Sequence, residues 1–110
     1  MNYNIWKASG EYIDLDYMEK YKGNLDEKDK TGCTPLYIAS LQGNVEIVRY
    51  LISQGVNVNE KCIFGSIPLY IACVNNHYEV AELLLQNGSN IIAIRDDFYI
   101  DIKELITRFI

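Results

Sequence analysis

Apolar positions along this chain form short groups with helical spacing, and the groups come in pairs. Thr34 can cap a first helix, and Pro35 suits its first position because the N–H that proline lacks is not needed there. A break at Gly43 separates this group from a longer apolar stripe, and Gly55 is the expected left-handed stop after it. The pattern predicts two helices joined by a tight turn. Their apolar positions are Leu36, Ile38 and Ala39 in the first helix and Val45, Ile47, Val48, Leu51 and Ile52 in the second.

The same phrase then occurs a second time. "GCTPLYIASLQGN" begins at Gly32 and "GSIPLYIACVNNH" begins at Gly65, 33 residues later. A single helix pair cannot bury its apolar side alone, so units of this kind must stack on one another. The period therefore predicts an all-α solenoid of stacked helix-turn-helix units.

These residues resemble the ankyrin-repeat family. "GCTPLYIASLQGNVEIVRYLISQGVNVN" is similar to that family's Gly-x-Thr-Pro-Leu-His opening, its Val/Ile/Leu-rich second helix and its Gly before an Asn-containing loop. The resemblance implies hairpin-like loops between the helix pairs and a single domain over residues 1–110. Within it we expect a degenerate repeat at 1–28, full repeats at 29–61 and 62–94, and a closing half repeat at 95–110.

Some positions depart from the family pattern. Tyr37 and Tyr70 stand where the family usually has His, and we expect them to span the seam between repeats with their hydroxyls hydrogen-bonded. Ile67 replaces the capping Thr, which should cost about 1 kcal/mol unless something else caps that helix. Asn76 replaces a Gly. Asn tolerates left-handed geometry, and this one could cap the next helix together with Glu79.

Two more features follow from the 33-residue register. Asn24 and Asp26 fall opposite Asn57 and Asn59 of the next loop. The tyrosines of the second helices are expected to be partly buried between units; they are Tyr12, Tyr17, Tyr21, Tyr50 and Tyr78.

Composition limits the class of partner. The 110 residues are 49% apolar and 23% charged, as in one globular domain. A net charge of −5 with 10 scattered basic residues argues against nucleic acid and would steer the chain toward a basic partner. The apolar runs are too short to span a membrane, and no secretory signal is visible. Three cysteines do not make a disulfide framework, so the cytosol of the producer or of a host is the expected compartment.

Two groups of residues are candidates for a catalytic or metal-binding site. Cys73 and His77 would share a face of a continuous helix, but the register places Cys73 at a small buried position and His77 after the helix break. Cys33, Cys62, Cys73 and His77 lack the closely spaced ligand pairs of a structural zinc site. We therefore expect no catalysis, no metal and no cofactor.

The resemblance implies that a protein partner binds the loop tips and the exposed edges of the first helices. Phe64 lies at a tip. It is either an exposed anchor or folded back onto Phe98 or Tyr99 of the next loop, and the sequence leaves both readings open. The expected tip residues are Lys30, Thr31, Cys33, Ile63, Phe64, Ser66, Asp96, Asp97 and Tyr99, and the expected edge residues are Leu41, Gln42, Val74 and Asn75.

The leading hypothesis is a non-catalytic, monomeric protein-protein interaction module, for example a small inhibitor or immunity-type protein that blocks one target. One alternative is a self-associating scaffold that dimerises through the C-terminal apolar face around Phe109 and Ile110. Another is a viral or bacterial effector that engages host proteins. Fold alone does not choose among them.

Overall fold

The computed structural model describes residues 24–29, 32–62 and 65–90. These residues form two helix-turn-helix units, and no strand occurs among them. The prediction of an all-α fold and of two successive helix pairs is confirmed for this part of the chain. The helices are α1 (Pro35–Gln42), α2 (Val45–Ser53), α3 (Pro68–Val74) and α4 (Tyr78–Gln86).

Both helices of the first unit begin with a capping side chain. Thr34 Oγ1 accepts a hydrogen bond from the backbone N–H of Tyr37 at 3.2 Å. Asn44 Oδ1 accepts one from the N–H of Ile47 at 3.3 Å, where α2 begins. Between them Gly43 ends α1 with φ 71°, in the left-handed region. These bonds satisfy N–H groups that a helix start leaves without intrahelical partners. The predicted cap by Thr34 is confirmed, and the cap by Asn44 was not predicted.

The second unit begins differently. Ile67 precedes α3 without a side-chain cap, and its own side chain is completely buried, so apolar burial takes the place of the capping bond. Asn76 has φ 60°, which confirms the predicted left-handed geometry. The prediction that Asn76 caps α4 is wrong: His77 occupies the N-cap position and makes no side-chain capping bond. Asn76 Oδ1 instead accepts a hydrogen bond from the hydroxyl of Tyr78 at 2.9 Å.

The buried core repeats with the same period as the sequence. The first helices α1 and α3 pack side by side, and α2 packs against α4. Ala39 on α1 and Ala72 on α3 are small and buried, which lets these two helices approach closely. Burial of corresponding residues in both units shows that each unit covers its neighbour. The buried pairs are Leu36/Leu69, Ala39/Ala72, Ile47/Val80, Val48/Ala81 and Leu51/Leu84.

A ladder of Asn and Asp side chains joins the loops that follow the second helices. Within a loop, Asn24 Oδ1 accepts from Asp26 N at 2.9 Å, and Asn57 Oδ1 accepts from Asn59 N at 3.0 Å. Between loops, Asp26 Oδ1 accepts from Asn57 N at 3.2 Å and Asn59 Oδ1 accepts from Asn90 N at 2.6 Å. The predicted correspondence of the two Asn-bearing loops is confirmed, and the ladder fixes the spacing of successive units.

An ion pair crosses between the same two loops. Lys28 Nζ lies 2.8 Å from Glu60 Oε1. The hydrogen bond from Lys28 holds the pKa of Glu60 below its ordinary value. Both side chains are substantially exposed, so the pair contributes little to stability and mainly orients the loops.

Candidate partner-binding surface

Six of the thirteen predicted surface residues lie within the described ranges. They belong to two groups, one at the bases of the hairpin-like loops and one at the ends of the first helices. The predicted residues Lys30, Thr31, Ile63, Phe64, Asp96, Asp97 and Tyr99 lie outside the described residues.

The loop bases are built alike in the two units. Asp29 N donates to Cys33 O at 2.8 Å, and Cys62 N donates to Ser66 O at 2.8 Å, 33 residues further on. Each bond closes a hairpin-like turn, as predicted. Cys33 is only 7% exposed, so its thiol offers a partner almost no surface, contrary to the expectation for a tip residue. Ser66 is half-buried, and its hydroxyl is engaged inside the protein.

That hydroxyl belongs to a polar seam between the units. Tyr37 of the first unit places its hydroxyl 2.9 Å from Ser66 Oγ, and Cys62 Sγ lies 3.0 Å from the same oxygen. The expected seam-spanning role of Tyr37 is confirmed. Burial raises the pKa of Tyr37 to about 12, with a smaller opposing effect of the bond to Ser66. The phenol therefore stays neutral at physiological pH.

The ends of the first helices, in contrast, are exposed. Leu41 at the end of α1 is 40% exposed, and Val74 at the corresponding position of α3 is 36% exposed. Asn75 is also exposed, whereas Gln42 is half-buried. The 33-residue register places these residues in matching positions on neighbouring units, so they form one edge.

A histidine from the second unit holds the two helix ends together. His77 Nε2 lies 3.1 Å from the carbonyl oxygen of Leu41, 36 residues earlier, to which it donates as the Nε2–H tautomer. Its ring lies over Gly43, where a Cβ atom would fall 2.6 Å from Cε1 of His77. The imidazole of His77, which lies in the turn between α3 and α4, therefore forms a hydrogen bond between the two repeats. At position 37, where the family usually has His, this chain has Tyr37, which bonds to Ser66 instead.

The exposed edge continues onto the start of α4. Tyr78 is 42% exposed, more than expected for a residue between units. Leu41, Val74 and Tyr78 are the large apolar residues that are exposed in the described part of the chain. Tyr78 was not among the residues predicted for the partner-binding surface. The available signal was an aromatic residue at the position where the first unit has Val45.

Each second helix has a carboxylate in its first turn, and one of them, Glu79, directly follows Tyr78 in the sequence. Glu46 and Glu79 are in the first turns of α2 and α4, where the helix dipole favours negative charge. Arg49 Nη2 lies 3.8 Å from Glu79 Oε1, with 61% and 65% of the two side chains exposed. An ion pair so long and so exposed is weak.

The described residues show no cluster of three or more His, Cys, Asp or Glu side chains that could hold a metal ion. Cys73 lies on α3, whereas His77 lies beyond the end of that helix with Nε2 facing the carbonyl of Leu41. The two are therefore not on one continuous helix. None of the helices in the described ranges is long and apolar enough to cross a membrane.

A family model described as "Ankyrin repeats (3 copies)" matches residues 9–95. This chain belongs to the ankyrin-repeat family, as its stacked helix pairs and repeated core indicate. Among curated proteins it is similar to mouse "Protein phosphatase 1 regulatory subunit 27", with 43% identity over 47 residues. That match covers 43% of this chain and 30% of the relative, so the chain spans less than a third of the relative's length.

Proposed function

We propose that this chain is a non-catalytic module that binds one protein partner through the exposed ends of its first helices and the tips of its loops. The observation that carries the proposal is the location of the exposed large apolar residues. Leu41, Val74 and Tyr78 all belong to one edge of a stack whose other described large apolar residues are buried or half-buried. Exposed apolar residues grouped in this way are typical of interaction sites.

The scaffold suits this role. Buried residue pairs and the Asn ladder keep the units in fixed register, so the edge residues are already positioned before binding. A preorganised surface loses less conformational entropy when a partner docks. Membership in the ankyrin-repeat family supports the same function, since the resemblance implies binding at loop tips and helix edges.

We further propose that binding regulates the partner, with inhibition as the specific form. The support is the name of the mouse relative, which is a regulatory subunit of a phosphatase. Because the matched segment covers 30% of that protein, the catalytic subunit of protein phosphatase 1 is a first candidate to test rather than an assigned partner.

The test is direct binding by the folded chain, measured by biolayer interferometry with the catalytic subunit of protein phosphatase 1 and with proteins captured from lysate. Leu51→Asp is the unfolded control, because Leu51 is completely buried and an unpaired charge there should disrupt the stack. Phe64→Asp tests the loop tip. We expect saturable binding that Leu51→Asp abolishes and Phe64→Asp weakens.

Sedimentation separates this function from a self-associating scaffold. A monomer that binds a different protein supports the proposal. A concentration-dependent dimer that binds no other protein contradicts it and favours the scaffold. If a partner binds but its activity is unchanged, the inhibitory form is wrong and the binding module remains.

A further inference from the structure

The exposed edge at the turns between first and second helices carries both apolar and acidic side chains, and these indicate which kind of partner it binds. The corner surface, as we name it, consists of Leu41, Val74 and Tyr78 together with the neighbouring carboxylates of Glu46 and Glu79. Its residues come from both units at the turns between first and second helices. Leu41 and Val74 lie at the ends of the first helices, just before these turns, and Tyr78 and the two carboxylates lie at the starts of the second helices, just after them.

The corner surface is rigidly held. His77 bonds to the carbonyl of Leu41 and fills the space over Gly43, which ties the two turns together. The hydroxyl of Tyr78 donates to Asn76 Oδ1 at 2.9 Å, which orients the aromatic ring. An oriented, partly exposed Tyr is the kind of side chain that dominates binding energy in protein interfaces.

The charges of the described residues favour a basic partner. Acidic side chains outnumber basic ones there by seven to three, and two of the carboxylates, Glu46 and Glu79, belong to the corner surface. The Arg49–Glu79 pair is long and exposed, so a partner's cation can replace Arg49 at little cost. A second copy of this chain would bring further carboxylates against Glu46 and Glu79, and like charges at an interface are unfavourable.

We propose that the corner surface binds a segment of a partner protein that presents an aliphatic or aromatic side chain flanked by Lys or Arg. This inference rests on the proposed protein-binding function and names the chemistry of the partner. The apolar side chain packs against Leu41, Val74 and Tyr78, while the basic groups pair with Glu46 and Glu79.

The experiment uses three fluorescein-labelled peptides of equal length, titrated with the full chain and followed by fluorescence anisotropy. The first alternates Leu with Lys, the second alternates Leu with Glu, and the third alternates Ser with Lys. We expect saturable binding of the Leu/Lys peptide alone, weakening as salt increases because the carboxylates are exposed. Equal binding of the Leu/Glu peptide, or no binding of the Leu/Lys peptide, would overturn the proposal.

Variants locate the binding. Leu41→Ser with Val74→Ser should weaken the Leu/Lys peptide about tenfold or more, by removing the apolar contact. Glu46→Gln should weaken it and reduce its salt dependence. Glu27→Gln is the matched control, because it removes one exposed carboxylate from the ladder loops, at the opposite ends of the second helices. Circular dichroism checks that each variant is folded. If Glu27→Gln weakens the peptide as much as Glu46→Gln, the attraction is general and the corner assignment is wrong.

The same variants distinguish failure of this inference from failure of the proposed function. If a protein partner binds wild type and the Leu41→Ser/Val74→Ser variant equally, the corner-surface proposal is wrong but the proposed protein-binding function stands. If neither a peptide nor any protein binds the folded chain, both proposals fail.

Discussion

The contact between Gly43 and His77 predicts how much stability the protein loses when Gly43 is replaced by Ala. Gly43 has φ +71°, and a Cβ atom built there would lie 2.6 Å from Cε1 and 2.8 Å from Cγ of His77. Real Cβ atoms do not approach other atoms so closely, so Gly43→Ala must push the imidazole ring away. The ring then loses its hydrogen bond to the carbonyl of Leu41.

The expected cost has two parts. Placing a side chain at left-handed φ costs about 1–2 kcal/mol. Loss of the His77 hydrogen bond adds about 1 kcal/mol. Gly43→Ala should therefore lower the free energy of unfolding by about 2–3 kcal/mol. Gly55→Ala is the matched control: its φ is +80° but no atom lies within 4 Å of the added Cβ, so it should cost only the conformational part.

Urea unfolding followed by circular dichroism at the helical band measures both variants. A double-mutant cycle with His77→Ala isolates the contact, because Gly43→Ala in that background should cost only about 1–2 kcal/mol. We expect a coupling of about 1 kcal/mol between the two positions. Equal destabilisation by Gly43→Ala and Gly55→Ala, together with additive effects in the cycle, would refute the assigned role of His77.

Three further predictions concern the seam, the ladder and the core. Tyr37→Phe removes the bond to Ser66 and should cost about 1 kcal/mol in urea unfolding. The pKa of Tyr37 is about 12 in the folded protein and 10 ordinarily, so the stability of the wild type should fall as pH rises from 10 toward 12. The fall should be less steep for Tyr37→Phe, and identical pH profiles of the two proteins would contradict this. Asn59→Ala removes the acceptor of the Asn90 N–H and should lower the melting temperature by about 4–8 °C; an unchanged melting temperature would show that water replaces this bond. Leu51→Asp should give an unfolded circular dichroism spectrum, and a native-like spectrum would show that the core assignment is wrong.

The helix pairs could be predicted from the sequence because their determinants are local. Thr34 precedes Pro35 at a helix start, and Gly43 follows the last turn of the helix that they begin. The core could be predicted because the apolar positions recur with helical spacing and the whole pattern recurs 33 residues later. Asn76 shows the limit of local reasoning. Its left-handed backbone follows from its residue type, but its side chain bonds to Tyr78 and does not cap the helix.

The candidate site was predicted only in part. Leu41, Val74 and Asn75 are exposed as the register implies, whereas Cys33 is buried at the base of its loop. Cys33 and Ser66 occupy equivalent positions, yet Ser66 is half-buried and bonded to a tyrosine of the preceding unit. Equivalent positions in a repeat share a backbone location but have different neighbours, and the neighbours decide exposure.

The sequence by itself determined the repeat period, the helices and the residues that form the core, because these depend on spacing along the chain. Only the tertiary structure decided which surface remains open. The bond from His77 to Leu41 joins residues 36 apart, and the exposure of Tyr78 depends on how the two units pack. Stacking brings distant residues together, so burial, seam hydrogen bonds and the corner surface are properties of the assembled repeats.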